Sequence, residues 1–169
     1  MALTQVINDG LATSGLPAGS VVQVVNVQDG AVASGTTTIA YDDTIMQNTE
    51  GTEFMTLAIT PTNSSHKLKI DVVIHMNANT TSKIFTVGLF QDSTANALAT
   101  QSSAQSLNNS PTPISFTHFM TAGTTSSTTF KVRAGPDTSA TVTFNGRDGT
   151  NRRGGGTYAS SITITEIAV

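Results

Sequence analysis

A chain of 169 residues in which 8 Lys and Arg face 11 Asp and Glu carries a formal net charge of −3. It has no basic field able to neutralise many phosphates, which argues against nucleic-acid binding. The absence of cysteine excludes disulfides, thiolate metal sites and a catalytic thiol, and the length fits one folded domain.

Residues 1–19 read as a short arm of small and polar residues, with Pro17 fixing one backbone angle and Gly19 freeing another. The arm either hangs free or docks on a partner through its few apolar side chains, Leu3, Val6, Ile7, Leu11 and Leu16. The opening MALTQVINDGLATSGLPAGS has neither the basic region nor the apolar run of a signal peptide, and no stretch of about 18 apolar residues follows. The expectation is a soluble protein made in the cytoplasm, one that leaves a cell by lysis or as part of a particle.

From Ser20 to Val169 the signals have period two and predict one β-domain. The 30 Thr and 17 Ser, beside 2 Tyr and no Trp, suit pleated surfaces and turns. VVQVVNV, Val21 to Val27, predicts a buried strand, and TTTIAY another before a turn at Asp42 and Asp43. EFMTLAIT puts Met55, Leu57 and Ile59 on one face. KLKIDVVIHM alternates most cleanly, with Leu68, Ile70, Val72, Ile74 and Met76 on one side and Lys67, Lys69, Asp71, Val73 and His75 on the other.

In KIFTVGLFQD both faces are largely apolar: Phe85, Val87 and Leu89 against Ile84 and Phe90. Such a strand is either central or turns its outer face to another subunit. The polar stretch STANALATQSSAQSLNNSPTP is long for a bare loop and predicts a short strand near Ala97 to Gln101. ISFTHFMT, TTFKVRAG, ATVTFNG and YASSITITEIAV complete the series. Eight to ten short strands without a helix pattern predict an all-β antiparallel sandwich of jelly-roll type.

Catalytic and metal-binding patterns are sparse. FNGRDGTNRRGGGTY gathers Arg147, Arg152 and Arg153 among glycines, yet it lacks the G-K-[ST] of a phosphate loop and precedes a strand where such loops open a helix. It reads as a loop between the last two strands, either solvated or in contact with an anionic glycan or a neighbouring subunit. His66 and His75 read as solvated; His118 shares a face with Ile114, Phe116 and Met120 and reads as a core or interface histidine. Asp42 and Asp43 read as turn chemistry rather than a calcium site. The acids are scattered singly, without the pair a glycosidase needs, and no G-x-S-x-G occurs. The reading is a protein that is not an enzyme, with no cofactor and no metal.

The order of several landmarks resembles a family. MALTQV resembles the starts of phage tail-fibre and tail-spike chains, and GLPAGSVVQVV the entry into a small β-sandwich of virion proteins, notably of marine phages. ITPTNSSHKLKIDVVIHM, GLFQDST and the Gly- and Arg-rich loop before SSITITEIAV match further landmarks of those sandwiches. The resemblance implies a jelly-roll module, similar in shape to tumour necrosis factor domains, that forms a homotrimer on a virion surface. It further implies an arm attached to other virion proteins and loops that touch host-surface polysaccharide. The arm, about 19 residues, is short for a fibre shaft.

The loop residues expected to make such contacts are Asn79, Thr80, Gln105, Asn108, Asn109, Arg147, Asp148, Asn151, Arg152, Arg153 and Tyr158. Those expected at the trimer interface are Phe85, Val87, Leu89 and His118. Two other readings stand beside the tail fibre. One is a capsid decoration or head-fibre protein held by the arm; the other is a free carbohydrate-binding module, which would usually offer more aromatic platforms than Tyr41 and Tyr158.

Overall fold

The computed structural model describes residues 16–169. Of the expected anchoring residues, Leu3, Val6, Ile7 and Leu11 lie outside the described residues; Leu16 is half-buried at the entry. Twelve strands follow: β1 (Val21–Asp29), β2 (Ala33–Gly35), β3 (Thr52–Ile59), β4 (Lys67–Ala78), β5 (Lys83–Gln91), β6 (Ala99–Gln105), β7 (Thr112–Thr121), β8 (Thr128–Pro136), β9 (Val142–Phe144), β10 (Gly146–Arg147), β11 (Asn151–Arg152) and β12 (Ser160–Ile167). No α-helix occurs among the described residues.

Eight strands build two sheets, β1-β12-β4-β7 and β3-β8-β5-β6, antiparallel throughout. Among these eight in chain order, the first pairs with the eighth, the second with the seventh, the third with the sixth and the fourth with the fifth. That nested pairing is a long hairpin rolled up into a jelly roll, the expected architecture. Short β9 continues along the flank of β4 that β12 leaves free, pairing with Met76–Ala78, and carries β2 on its far side.

The core lies between the sheets, where the alternation of β4 meets that of β5, β8 and β12. Leu68, Ile70, Val72, Ile74 and Met76 are 0–1% exposed and share one cluster with Phe85, Val87, Leu89, Phe130, Val132, Ile162 and Ile164. Burying each such side chain is worth about 1.5–3 kcal/mol. The inward row of β3 runs as expected through Met55, Leu57 and Ile59, with a bulge between Glu53 and Met55. Phe54 stacks on Phe144, ring centroids 5.0 Å apart.

Four expectations are corrected. The strand starting at Val21 is an edge strand rather than a buried one: Val25 and Val27 pack on the core, while Val21 and Val24 are more than half exposed because only β12 flanks β1. TTTIAY forms no strand; with the residues up to Gly51 it straps across the outside of the second sheet, tied by Ile39 N–H to Pro136 O (2.9 Å) and Gly51 N–H to Thr38 O (3.2 Å).

That strap settles the two-faced character of β5. Phe85, Val87 and Leu89, expected at a subunit interface, are fully buried in the chain's own core. The opposite face is covered from within the chain as well, since Phe90 packs with Ile39 and Met46 of the strap. Finally, β6 starts later and runs further than the strand expected near Ala97 to Gln101, because its ladder to β5 extends from Ala99 to Gln105.

The strap sits so close that glycine is required beneath it. A Cβ on Gly135 would stand 2.4 Å from the backbone oxygen of Thr37, and a backbone atom cannot swing aside as a side-chain tip can. Gly135→Ala is expected to lower the unfolding free energy by about 1–3 kcal/mol, the usual cost of overpacking. Urea denaturation checks this, and an unchanged midpoint would contradict the seating of the strap.

Candidate functional site

At one end of the sandwich, the β4–β5 turn, the β6–β7 loop, the β1–β2 turn and the segment 145–158 meet. Their union begins with two buried amides, Asn77 on β4 and Asn145 at the bend between β9 and β10. Asn77, 1% exposed at the end of β4, donates Nδ2 to Gly146 O. Asn145, equally buried, donates Nδ2 to Asp29 O (2.6 Å) and Ala31 O (3.2 Å), and accepts from Ser160 Oγ (2.7 Å). Loops otherwise leave backbone groups unpaired, and buried amides satisfy several at once.

The hairpin of β10 and β11 follows from local chemistry. Asp148 and Gly149 both adopt positive φ, 52° and 81°, and Thr150 N–H reaches Arg147 O at 3.3 Å. An Asp-Gly pair suits the mirror-image tight turn that this demands. Gly154, Gly155 and Gly156 all have positive φ, 55°, 66° and 97°, so the glycine run makes a tight turn in the left-handed region that side chains would strain.

Most of the expected contact residues gather here, but in three roles. Gln105 is corrected: at 2% exposure it is a brace, accepting from Ala78 N (2.8 Å) and donating to the carbonyls of Ala78 (3.0 Å) and Thr80 (2.7 Å). Asn79, Asn109 and Arg153 couple loops. Asn79 Oδ1 accepts from Thr141 N at 3.1 Å, Asn109 Nδ2 donates to Asp148 Oδ1, and Arg153 donates to Asn109 O and, at 3.4 Å, to Gly146 O. Tyr158 is half-buried, its ring 4.3 Å from that of His75.

Asn108, Arg147, Asn151 and Arg152 keep exposed side chains. Arg147 makes only an exposed contact with Asp148 (3.5 Å), a pairing of small energetic weight. The adjacent arginines 152 and 153 therefore differ, one presented and one built in. Beside Arg152 lies a depression of about 500 Å³ lined by Gly30, Ala31, Val32, Thr150, Arg152 and Gly156. Arg152 is its one charged lining residue, and the absence of side chains on Gly30 and Gly156 leaves backbone within reach. Such a surface fits a carboxylate, sulfate or phosphate group on a larger ligand, which a guanidinium can grip with two parallel hydrogen bonds.

Two of the three histidines depart from the sequence reading. His75 is half-buried under Tyr158 rather than solvated, and burial holds its imidazole below the ordinary 6.5. His118, expected in the core or at an interface, does not depart: it is half-buried on the inward row of β7, where burial lowers its pKa. His66 is 4% exposed, and its Nδ1 lies 2.7 Å from Glu166 Oε1 at the opposite end of the sandwich.

Glu166, wholly buried, also accepts from Gln23 Nε2 (2.6 Å), Thr62 N (2.9 Å) and Thr62 Oγ1 (2.8 Å). Its place on the inward row of β12, between Ile164 and Ala168, was the one available signal, a charged residue where the period demands an apolar one. Asp42 accepts from Thr44 N (2.8 Å) and Thr44 Oγ1 (2.6 Å), as turn chemistry predicts. No group of three metal-ligating side chains converges among the described residues.

A second concavity, also about 500 Å³, lies between the strap and β6. It is lined by Tyr41, Asp42, Asp43, Ile45, Thr86 and Ser102 among others. None of these residues stood in the expected contact set, because nothing local signals that the strap would arch over the sheet.

No family model matches the chain, and no curated protein matches it. Among solved structures it is similar to dimeric latent PorU from Porphyromonas gingivalis, at 8% identity and a TM-score of 0.43, over 91% of this chain and 14% of that one. It is similar to a structure of infectious bursal disease virus Gx strain at 12% identity and 0.40, over 87% and 36% of the two chains. It is also similar to the enzymatically active domain of bacteriophage CBA120 tailspike protein 4, at 12% identity and 0.28, over 73% and 19%. The chain thus spans well under two thirds of each of these proteins. Similarity at this level carries no functional weight, and the site is read from its own residues.

Proposed function

We propose that the protein is a non-catalytic structural component of a bacteriophage particle, of tail-fibre or spike kind. It stands on the virion surface as a homotrimer and touches anionic host-surface polysaccharide with one end of its sandwich. The observation that carries the contact surface is the Arg152 depression, held in place by the buried amides Asn77 and Asn145 and by Arg153. A rigid sandwich that presents a pre-set loop cluster is a common way of building a recognition surface. The sequence landmarks that resemble phage virion sandwiches support the setting.

The test uses particles carrying the full chain. Arg147→Ala with Arg152→Ala removes the exposed guanidinium groups without touching the brace. Because a hydrogen bond to a charged group contributes about 1.5–3 kcal/mol, adsorption to host cells should fall more than about tenfold while incorporation into particles is unchanged. Arg153→Ala should instead lower the thermal midpoint of the isolated protein. Full adsorption by the double variant would overturn the contact surface, and antibody labelling on the capsid shell would overturn the tail placement.

A further inference from the structure

From Ser93 to Phe130 not one Asp, Glu, Lys or Arg occurs; all 19 charged residues of the chain (8 basic and 11 acidic) lie elsewhere. This stretch contains β6 and β7, and both are edges. β6 pairs only with β5, and β7 pairs only with β4. Packed against each other across the two sheets, they form one whole side of the sandwich. The opposite side, β1 with β3, carries Asp29 and Glu53, the latter facing Arg133 at 3.4 Å.

Edge strands are normally protected, by charge, by proline or by extreme shortness, because their unpaired N–H and C=O groups invite another strand. Here β7 runs 10 residues with a proline only at its start and His118 as its one titratable side chain. It is also incompletely covered. On its inward row Ile114 is buried, but Phe116, His118 and Met120 are only half-buried. Phe119 is 58% exposed, and Leu107 of the loop leading into β7 is 69% exposed.

We infer that the β6–β7 side lies along the symmetry axis of a homo-oligomer, and that its occupant is a second copy of this chain. Near such an axis each residue meets its own counterpart, so any charge there would face and repel a like charge. Two strands that carry no charge of their own suit copies of one chain, and the nearest charges, Asp71 and Lys67 of β4, are engaged by Thr117 and Thr121 of β7. The size fits as well. Ten residues of strand span about 33 Å, and two stacked sheets with their side chains about 20 Å, giving on the order of 650 Å². That is near the roughly 800 Å² per partner of a stable interface.

This replaces Phe85, Val87 and Leu89 as the contact between copies, and it does not rest on the virion reading, since a homo-oligomer in any setting would show the same side. Light scattering on the full chain across a dilution series tests it. The unaltered protein should be oligomeric. Gln101→Lys with Phe119→Lys, both at exposed positions, should raise the dissociation constant at least 100-fold. Val24→Lys, equally exposed on β1, should leave it unchanged, and circular dichroism of each variant shows whether the fold is kept. A monomer at every concentration would overturn the inference, as would a folded double variant that associates as tightly as the unaltered chain.

Discussion

Replacing Glu166 by alanine is expected to lower the unfolding free energy by about 3–5 kcal/mol, because it removes the acceptor of several hydrogen bonds at once, each unmet donor costing about 1–3 kcal/mol. The carboxylate ties together the start of β1 through Gln23, the β3–β4 turn through Thr62, and His66. Alanine would leave the Thr62 amide and the buried His66 ring without their acceptor. Because folded domains are stable by only about 5–15 kcal/mol, a loss of this size removes much of the total. Guanidinium denaturation measures it, and a loss below about 1 kcal/mol would show that the cluster is not held as described.

The same group gives the fold an acid limit. Burial pushes the Glu166 carboxyl upward, but the hydrogen bonds from Gln23, Thr62 and His66 outweigh it and hold the pKa below the ordinary 4.5. A carboxylate whose pKa is depressed by folding stabilises the protein fully above its unfolded value, and that contribution is lost as pH falls through the folded value. The unaltered chain should therefore lose stability below about pH 4.5. In Glu166→Gln this part of the slope should be absent.

Phe85→Ala is expected to cost about 3–5 kcal/mol, as truncations of buried aromatic side chains do. Phe85 is 0% exposed in the main cluster, on a strand flanked by β6 and β8. The outcome separates two roles that the sequence left open. An interface residue would change the association constant and spare the stability of the separate chain; a core residue does the reverse. Denaturation followed under dissociating conditions should show the full loss, and a variant that dissociates but unfolds normally would return Phe85 to an interface.

Local alternation was enough for much of this protein. The inward rows of β3 and β4 were legible because a half-buried strand must alternate and no turn residue interrupts Met55 to Ile59 or Leu68 to Met76. The succession of such strands without a helical period was enough for the all-β sandwich. The end-loop cluster was partly legible too, since Asn, Asp, Gly and Arg between strands mark exposed turns.

What it could not divide was that cluster into braces and presented groups. Gln105, Arg152 and Arg153 look alike in sequence, and only the packing of the four end segments buries one, exposes another and pins the third. The two apolar faces of β5 were equally undecided. Whether Phe90 meets a neighbouring subunit or the chain's own Ile39 and Met46 depends on a strap about 45 to 50 residues away in sequence, which no periodicity reports. Glu166 stood in a row that should have been apolar, a signal of some special role, but its partners Gln23 and His66 come from distant strands and turns. Period and turn chemistry act between near neighbours and so determine strands and their faces; covering a face or satisfying a buried charge takes groups far apart in the chain, and only the closed jelly roll brings them together.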